Sequence, residues 1–532
     1  MKNKLFAVSL ITLTCLYGIL AGIFILIAIF TDISVSFALL ISIIIIVLQF
    51  LISPAINDFV FKHFYKVQWN VELPDYLKNF ITESCENHNM KYPKIGFIND
   101  GSPNAFTYGR TKNDARVVIT RGILELLSEE EVKSVVAHEL GHANHYDMLF
   151  MTFAQIVPLV LYYVYEILLR TDSKRSSSNN SGSYGTLVGL IAYVLYIISQ
   201  YVILWLSRTR EYYADSFAIE ETKNPSALAS ALVKIGFGLA TGSSKEESKV
   251  NKGNNALGIN NAKISKGIAI GAYNNGGVSK QNIINAMKWE KWNVWAKWYE
   301  INSTHPLISK RILAISDRCS EFGQERYIEF NETKPESYVD DFFIEVLISI
   351  APFISIILFV ILSLLNLENN PLLYIGIGGI LFTLALFVKL NRTHKNSGYE
   401  ETTILELLGK VKVSNVTSIP AILEGTIIGR GNPGCIFNED FVIQDETGIL
   451  FLDYNQPLNV INKIFALFKS KEYFDKRVKV KGWYRRGLVP YMEIYSMEID
   501  GKIKKCHTYK FRKVFYSILL IASIVSTIMT II

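Results

Sequence analysis

Seven apolar stretches, each long enough to cross a bilayer, leave this chain few folds to choose from. They run roughly over Leu5–Phe30, Ser34–Ser53, Met148–Leu169, Tyr184–Leu206, Phe342–Leu365, Pro371–Leu390 and Val514–Ile532. A hydrocarbon core of ~30 Å needs about 20 helical residues. Inside it every backbone N–H and C=O must be satisfied within the segment, which makes these stretches helices. Composition agrees: half of the 532 residues are apolar, 19% are charged and mean hydropathy is +0.24. The first stretch follows Met-Lys-Asn-Lys but is too long for a signal-peptide core, and a second follows within a few residues, so an uncleaved anchor is expected.

The first six stretches pair into hairpins, because the links Thr31–Ile33, Arg170–Ser183 and Asn366–Asn370 are short. All large polar segments then face one side. Segment 54–147 carries ten Lys and Arg residues while the first and third links carry none, so that side is cytoplasmic and the chain a multi-pass cell-membrane protein. Arg170, Lys174 and Arg175 in the second link run against this assignment. The expected division is membrane hairpins at 1–53, 148–206 and 342–390, a first catalytic part at 54–147, a second at 207–341, a β-domain at 391–513 and a last span at 514–532. The net charge of +6 is mild, and nucleic acid is not an expected partner. Five scattered cysteines without a CxxC pair exclude a disulfide framework and a cysteine-based metal site.

Within 54–147, Leu73–Asn89 reads as an amphipathic helix, Tyr92–Phe97 and Ala115–Thr120 as strands, and Asn104–Gly109 as either a turn or part of the sheet. The stretch Val135–Tyr146, VVAHELGHANHY, follows with His138, Glu139 and His142 in HExxH register. Residues four apart share a helix face, so both imidazoles can reach one metal ion, with Glu139 beside the water such an ion would activate. Ser128 and Glu131 form a capping box at the start of that helix, and Val132, Val135, Val136 and Leu140 fall at helical spacing. His145, three residues past His142, is read as surface or supporting rather than as a ligand.

Met148 lies six residues beyond His142, which puts a bound metal roughly 10 Å from the membrane surface. The fourth span returns the chain to the same side and delivers Ser207-Arg208-Thr209-Arg210-Glu211-Tyr212-Tyr213-Ala214-Asp215. Alone, Glu211 and Asp215 would be a solvated helix face. At the depth of the HExxH helix, a carboxylate can supply the third zinc ligand and another, one turn on, can hold a zinc histidine through its second ring nitrogen.

HELGH followed, after two spans, by REYYAD resembles the HtpX and CAAX-prenyl-protease group of integral-membrane zinc metallopeptidases. Pro103-Asn104-Ala105-Phe106 and Ser303-Thr304-His305-Pro306 with Arg311 extend the resemblance over about residues 1–320. It implies a helical, gluzincin-like zincin core with a small β-sheet in a polytopic α-helical membrane protein. It also implies one zinc ion per chain on His138, His142 and Glu211, with Glu139 as general base and Asp215 as orienter. His305 would donate to the oxyanion, and Asn104, Ala105 and Phe106 would lie along the substrate strand. Hydrolysis of protein or peptide substrates, membrane proteins among them, follows as the expected activity. Quality control of damaged membrane proteins and processing of one defined, CAAX-like substrate are the competing biologies. An idle membrane scaffold is the alternative from another class, and the intact Glu139 weighs against it.

Segment 241–280 turns to Ser, Lys, Gly and Asn and reads as a mobile loop or a lid. Trp289, Trp292, Trp295 and Trp298 recur every third residue among lysines, as a packed face on the catalytic core or as an interfacial helix. Residues 404–506 alternate over Ala421–Arg430, Phe441–Gln444, Ile449–Tyr454, Arg477–Trp483 and Tyr491–Ile499, which reads as a small OB-like barrel. The run from Gly429 to Tyr454 resembles the β-domain of GIDE-type membrane ubiquitin ligases. No CxxC pairs follow, so no RING is implied, and a protein partner is the expected ligand of this domain.

Overall fold

The computed structural model describes residues 2–30, 35–175, 184–241, 273–274, 277–365, 371–430, 440–457 and 470–531. The hairpin links at 31–33 and 366–370, most of the link at 170–183 and most of segment 241–280 lie outside them. Two compact units emerge: residues 1–239 with 246–262 and 299–329, and residues 240–245 with 263–298 and 330–532.

The first unit opens with helices α1 (Lys2–Phe30) and α2 (Val35–Phe64). After strand β1 (Gln68–Trp69) come α3 (Asp75–Asn87), β2 (Lys94–Ile98), β3 (Ala105–Gly109), β4 (Ala115–Thr120), α4 (Arg121–Leu126) and α5 (Glu129–Asn144). Helices α6 (Asp147–Arg175), α7 (Tyr184–Thr222) and α8 (Pro225–Thr241) follow. Among the described residues six helices are long and apolar enough to cross a membrane; these are α1, α6 and α7 here and three in the second unit. The second expected span falls within α2, of which most side chains between 35 and 49 lie outside the description. Leu16, Leu20, Ile23 and Phe24 of α1 pack with Ala154, Val157 and Leu161 of α6 and with Val188, Ala192 and Leu206 of α7.

The sheet has the order β1-β2-β4-β3, with β2 and β4 parallel and β3 at one edge. Of Asn104–Gly109, residues Ala105–Gly109 are strand, entered through a tight junction in which Asn104 N–H donates to Thr120 Oγ1 at 2.8 Å. Gly122 is required there: a Cβ would stand 2.1 Å from the Gly101 carbonyl. The expected capping box of α5 is formed, with Ser128 N–H donating to Glu131 Oε2 at 2.8 Å. Buried Glu131 also accepts from Ser230 at 2.6 Å and Lys234 at 2.9 Å, pinning α8 to the start of α5. The core joins α3, the sheet, α5, α7 and α8 through Leu77, Ile119, Val135, Leu140, Ala218 and Leu232, all at most 1% exposed.

The second unit holds the short strands β5 (Tyr273–Asn274) and β6 (Gly277–Val278), then α9 (Lys280–Trp292) and most of α10 (Val294–Ile301). Helix α11 (Ile308–Asp317) belongs to the first unit; α12 (Val339–Leu365) and α13 (Pro371–Thr393) are membrane helices of the second. The tryptophan stripe is broken because Asn293 leaves helical geometry and its Oδ1 accepts from Trp295 N–H at 2.8 Å, capping a new helix. Trp289 is buried and donates to the Val413 carbonyl, Trp295 donates to Glu345, and Trp298 is half exposed.

After β7 (Glu400–Glu401) and α14 (Ile404–Leu408), strands β8 (Ile419–Arg430), β9 (Phe441–Gln444), β10 (Ile449–Asp453), β11 (Arg477–Arg486) and β12 (Pro490–Ile499) form a barrel. Its order β10-β9-β8-β11-β12 is closed by parallel pairing of β12 with β10. The expected turn Asp445–Gly448 is present, with Asp445 Oδ1 accepting from the N–H groups of Thr447 and Gly448. Strand β13 (Lys502–Lys505) leads to the last membrane helix α15 (Thr508–Ile531). Gly376 and Gly379 of α13 meet Thr527 and Ser523 of α15, small residues that let two membrane helices approach closely.

On barrel strand β12, Glu493 is buried between His394 Nε2 at 3.1 Å and Arg485 Nη2 of β11 at 2.7 Å. Burial alone would raise its pKa, but the His394 hydrogen bond and the Arg485 charge bring it down to about 2. A depressed carboxyl contributes stability that is present above its unfolded value and lost as pH falls through the folded one. Full-length protein is therefore expected to lose barrel stability from about pH 4.5 toward pH 2. Glu493→Gln should flatten that slope and destabilise by about 3–5 kcal/mol at pH 7, having left Arg485 buried beside an uncharged group. Denaturant unfolding followed by Trp483 fluorescence checks this, and an unchanged slope in the variant refutes it.

Candidate active site

Three elements of the first unit converge on one point. Helix α5 brings His138, Glu139 and His142, α7 brings Arg210, Glu211 and Asp215, and the loop before α11 brings His305, with Arg311 on α11 itself. The apolar face of α5 is spent on the sheet and α7, so its polar face is pressed against the polar continuation of a membrane helix. His138, Glu139, Glu211, Asp215 and His305 are each at most 5% exposed, and Arg311 is fully buried.

His138 Nε2 and His142 Nε2 stand 3.2 Å apart. Each lies 3.6 Å from an oxygen of Glu211. The three side chains form a group that could hold one metal ion, with ligand atoms within 4.8 Å of one another. Donors at roughly 2.0–2.1 Å around a tetrahedral ion are about 3.3–3.4 Å apart, which these separations match. Two imidazole nitrogens turned on each other and on a carboxylate, together with a buried Glu211 Oε2 that accepts no aligned hydrogen bond, fit a shared cation.

The outer nitrogens are held as well. Asp215 Oδ1 is 3.0 Å from His138 Nδ1, and Asp215 takes a two-pronged pairing from Arg311 at 2.9 and 2.6 Å. Arg311 Nη1 also lies 3.2 Å from Glu211. His142 Nδ1 is 2.7 Å from Asp147, the first residue of α6. His305 Nε2 reaches within 3.5 Å of Glu211, and its Nδ1 is 2.8 Å from Thr304 Oγ1.

A cavity of about 220 Å³ opens beside Glu139, His142, Glu211 and His305. Its other walls include Thr107, Tyr108 and Gly109 of β3 and Met151 of α6. Ala105 and Phe106 lie just ahead in the same edge strand with fully buried side chains, and Asn104 precedes them at 7% exposure. Sequence reading had not singled out Thr107–Gly109, Asp147 or Arg210. An acid and an arginine at the mouths of two apolar spans are the cue for the last two, since charge at that depth is rarely idle.

With no cation bound, burial would lower the His138 pKa, but the carboxylates of Asp215 and Glu211 hold it up at about 9. His142 is also raised, burial being overcome by Asp147, and burial itself pushes Glu139 above the ordinary carboxylate range. A cation must therefore displace a proton from the histidine pair at neutral pH. Its affinity should rise with pH until about 9 and fall as pH drops toward 6. Calorimetric titration with a divalent ion in two buffers of different ionisation enthalpy should show the released proton at pH 7. Proton-neutral uptake would contradict it.

Residues 73–319 match the model of peptidase family M48. A protein of Methanothermobacter thermautotrophicus named "Protease HtpX homolog" is 41% identical over 191 residues, covering 36% of this chain and 69% of that relative. A "Protease HtpX homolog" of Aquifex aeolicus is 30% identical over 256 residues, covering 47% of this chain and 74% of its own length. Further HtpX homologues are matched over 51–54% of their length. The crystal structure of S. mikatae Ste24p aligns with a TM-score of 0.34 at 17% identity, covering 59% of this chain and 67% of that one, too slight a likeness to argue from. Carried by the HExxH helix, the continued membrane helix and these matches, the conclusion is that this chain belongs to peptidase family M48 and is a membrane metallopeptidase.

Proposed function

We propose that the chain is a zinc-dependent endopeptidase that cleaves membrane proteins at the cytoplasmic membrane face, most simply in HtpX-like quality control. The observation that carries the reading is the convergence of His138, His142 and Glu211 beside buried Glu139, one short step from the start of α6 and on the continuation of α7. Two histidines and a carboxylate are the donor set of a catalytic zinc that keeps an open position. When bound, zinc polarises the scissile carbonyl and lowers the pKa of its water.

The chain's own residues then divide the work. Glu139 takes the proton of the attacking water and passes it to the leaving amine, and its burial suits it to hold that proton at neutral pH. Asp215 keeps the His138 ring turned so that Nε2 faces inward. His305, on the cavity wall across from Glu139, donates to the developing oxyanion. β3 ends its sheet with one edge unpaired among the described strands, so an extended substrate can pair with the backbone from Asn104, Ala105 and Phe106 on to Gly109. The ten lysines and arginines of 54–147 support the cytoplasmic orientation. The closed five-strand barrel supports an OB-like domain that engages a protein partner.

Detergent-purified wild type and Glu139→Gln should both hold about one zinc per chain. The variant should cleave an unfolded membrane protein roughly 10²–10⁴-fold more slowly. His305→Ala should lower kcat by about 10²–10³ with little change in KM. Several unrelated unfolded substrates cleaved by the wild type support quality control, and cleavage of a single defined one moves the reading to processing. Zinc in neither protein, or a fully active Glu139→Gln, sinks the mechanism.

A further inference from the structure

We propose that Asp147 and Arg210 position His142, and that Ser9 ties this pair to the first membrane helix. The inference rests on the reading of His142 as a metal ligand. Asp147 uses its two oxygens in opposite directions. Oδ2 is 2.7 Å from His142 Nδ1, and Oδ1 accepts from Arg210 Nη1. The other terminal nitrogen of Arg210 donates to Ser9 Oγ at 2.7 Å, and the guanidinium lies 4.8 Å over the Phe150 ring. Ser9 is 0% exposed, Arg210 2% and Asp147 5%, so the three groups are enclosed by protein except where Asp147 and Arg210 touch the cavity wall.

The chemistry follows from the ring. When Nδ1–H is donated to Asp147, the lone pair sits on Nε2, which faces His138 Nε2 at 3.2 Å and Glu211 at 3.6 Å. An ionised carboxylate at this depth needs a matching charge, and Arg210 supplies it. The arrangement repeats on the other ligand, where Arg311 charges Asp215 and Asp215 holds His138. The difference lies in where the arginine's remaining contact goes. Arg311 turns to Glu211 inside the site, whereas Arg210 reaches out of it to α1. Since α1 packs against α6 and α7 through Leu16, Leu20 and Ile23, its seating fixes Ser9 and, through two charged groups, the aim of one metal ligand.

The test uses full-length protein in detergent, stripped of metal and titrated with zinc against a competing chelator, with kcat and KM read on the same samples. Asp147→Asn and Arg210→Met should each weaken zinc binding by about 10- to 100-fold and lower kcat with KM unchanged. Arg210→Lys keeps the charge and should restore most of the affinity. Ser9→Ala should weaken binding by about threefold to tenfold. His142→Ala is the reference: if it binds zinc as tightly as wild type, the metal-ligand reading itself fails. If His142→Ala binds weakly while Asp147→Asn and Arg210→Met bind within twofold of wild type, the pair is only structural and the proposal is overturned. Normal affinity in Ser9→Ala alone refutes the link to α1.

Discussion

Burying charge is the constraint on which the rest of the first unit depends. Glu139, Glu211, Asp215 and Asp147 all lie at or below 5% exposure, in a shell whose neighbours are largely apolar helices. A lone ionised carboxylate there would cost several kcal/mol, so each must be met by a cation or a proton. Arg311 and Arg210 meet three of them, the histidines lean on all but one, and Glu139 is left with its proton affinity raised. That unevenness separates the surroundings: Asp147 and Asp215, each beside an arginine, face the histidine rings, while Glu139 has no arginine beside it; on the proposed reading Glu139 is then the one free to carry a proton.

The same constraint explains the use of membrane helices as catalytic scaffolding. Helix α7 runs for 39 residues without interruption, so Glu211 and Asp215 ride on a rod whose other half lies among apolar side chains of α1 and α6. Helix α6 begins five residues after His142, with Asp147 at its first position. A ligand set placed on such rods is stiffer than one placed on loops, which suits a site needing donors held to a few tenths of an ångström.

What could be read from sequence was what has a local period or a local partner. Six of the seven spans, the HExxH face, the Ser128–Glu131 capping box and the range Ala115–Thr120 are of this kind, and all appear among the described residues. The barrel strands were legible by alternation, although β11 runs on to Arg486, past the expected end at Trp483, because its partner β12 continues beside it. The tryptophan stripe misled because its three-residue period hides a break: Asn293 caps a second helix, which periodicity does not register. Contacts between distant residues left no trace in spacing. Arg210 meets Ser9 across 201 positions, and β10 pairs with β12 in parallel around the intervening strand β11.

The edge strand carries the last step. β3 must bury Phe106 and Tyr108 against Phe61 of α2 to stay in place, while its backbone must stay accessible beside Glu139. Asp58 of α2 reconciles the two, accepting from the Tyr108 hydroxyl at 2.7 Å and from Arg116 of β4 at 3.0 Å. Thr107 faces the other way and donates to the Glu139 carbonyl at 3.2 Å, fixing the strand's height above the metal helix. The strand is thus clamped by side chains on both faces, and among the described strands its outer edge is unpaired, where a further strand could add. A peptide bound there gains affinity from the backbone, which every unfolded sequence offers equally. If a substrate binds there, selectivity would fall to access to the cleft beside Met148 and Met151 of α6. On the proposed reading, a peptidase built this way would discriminate between folded and unfolded substrates more readily than between one sequence and another.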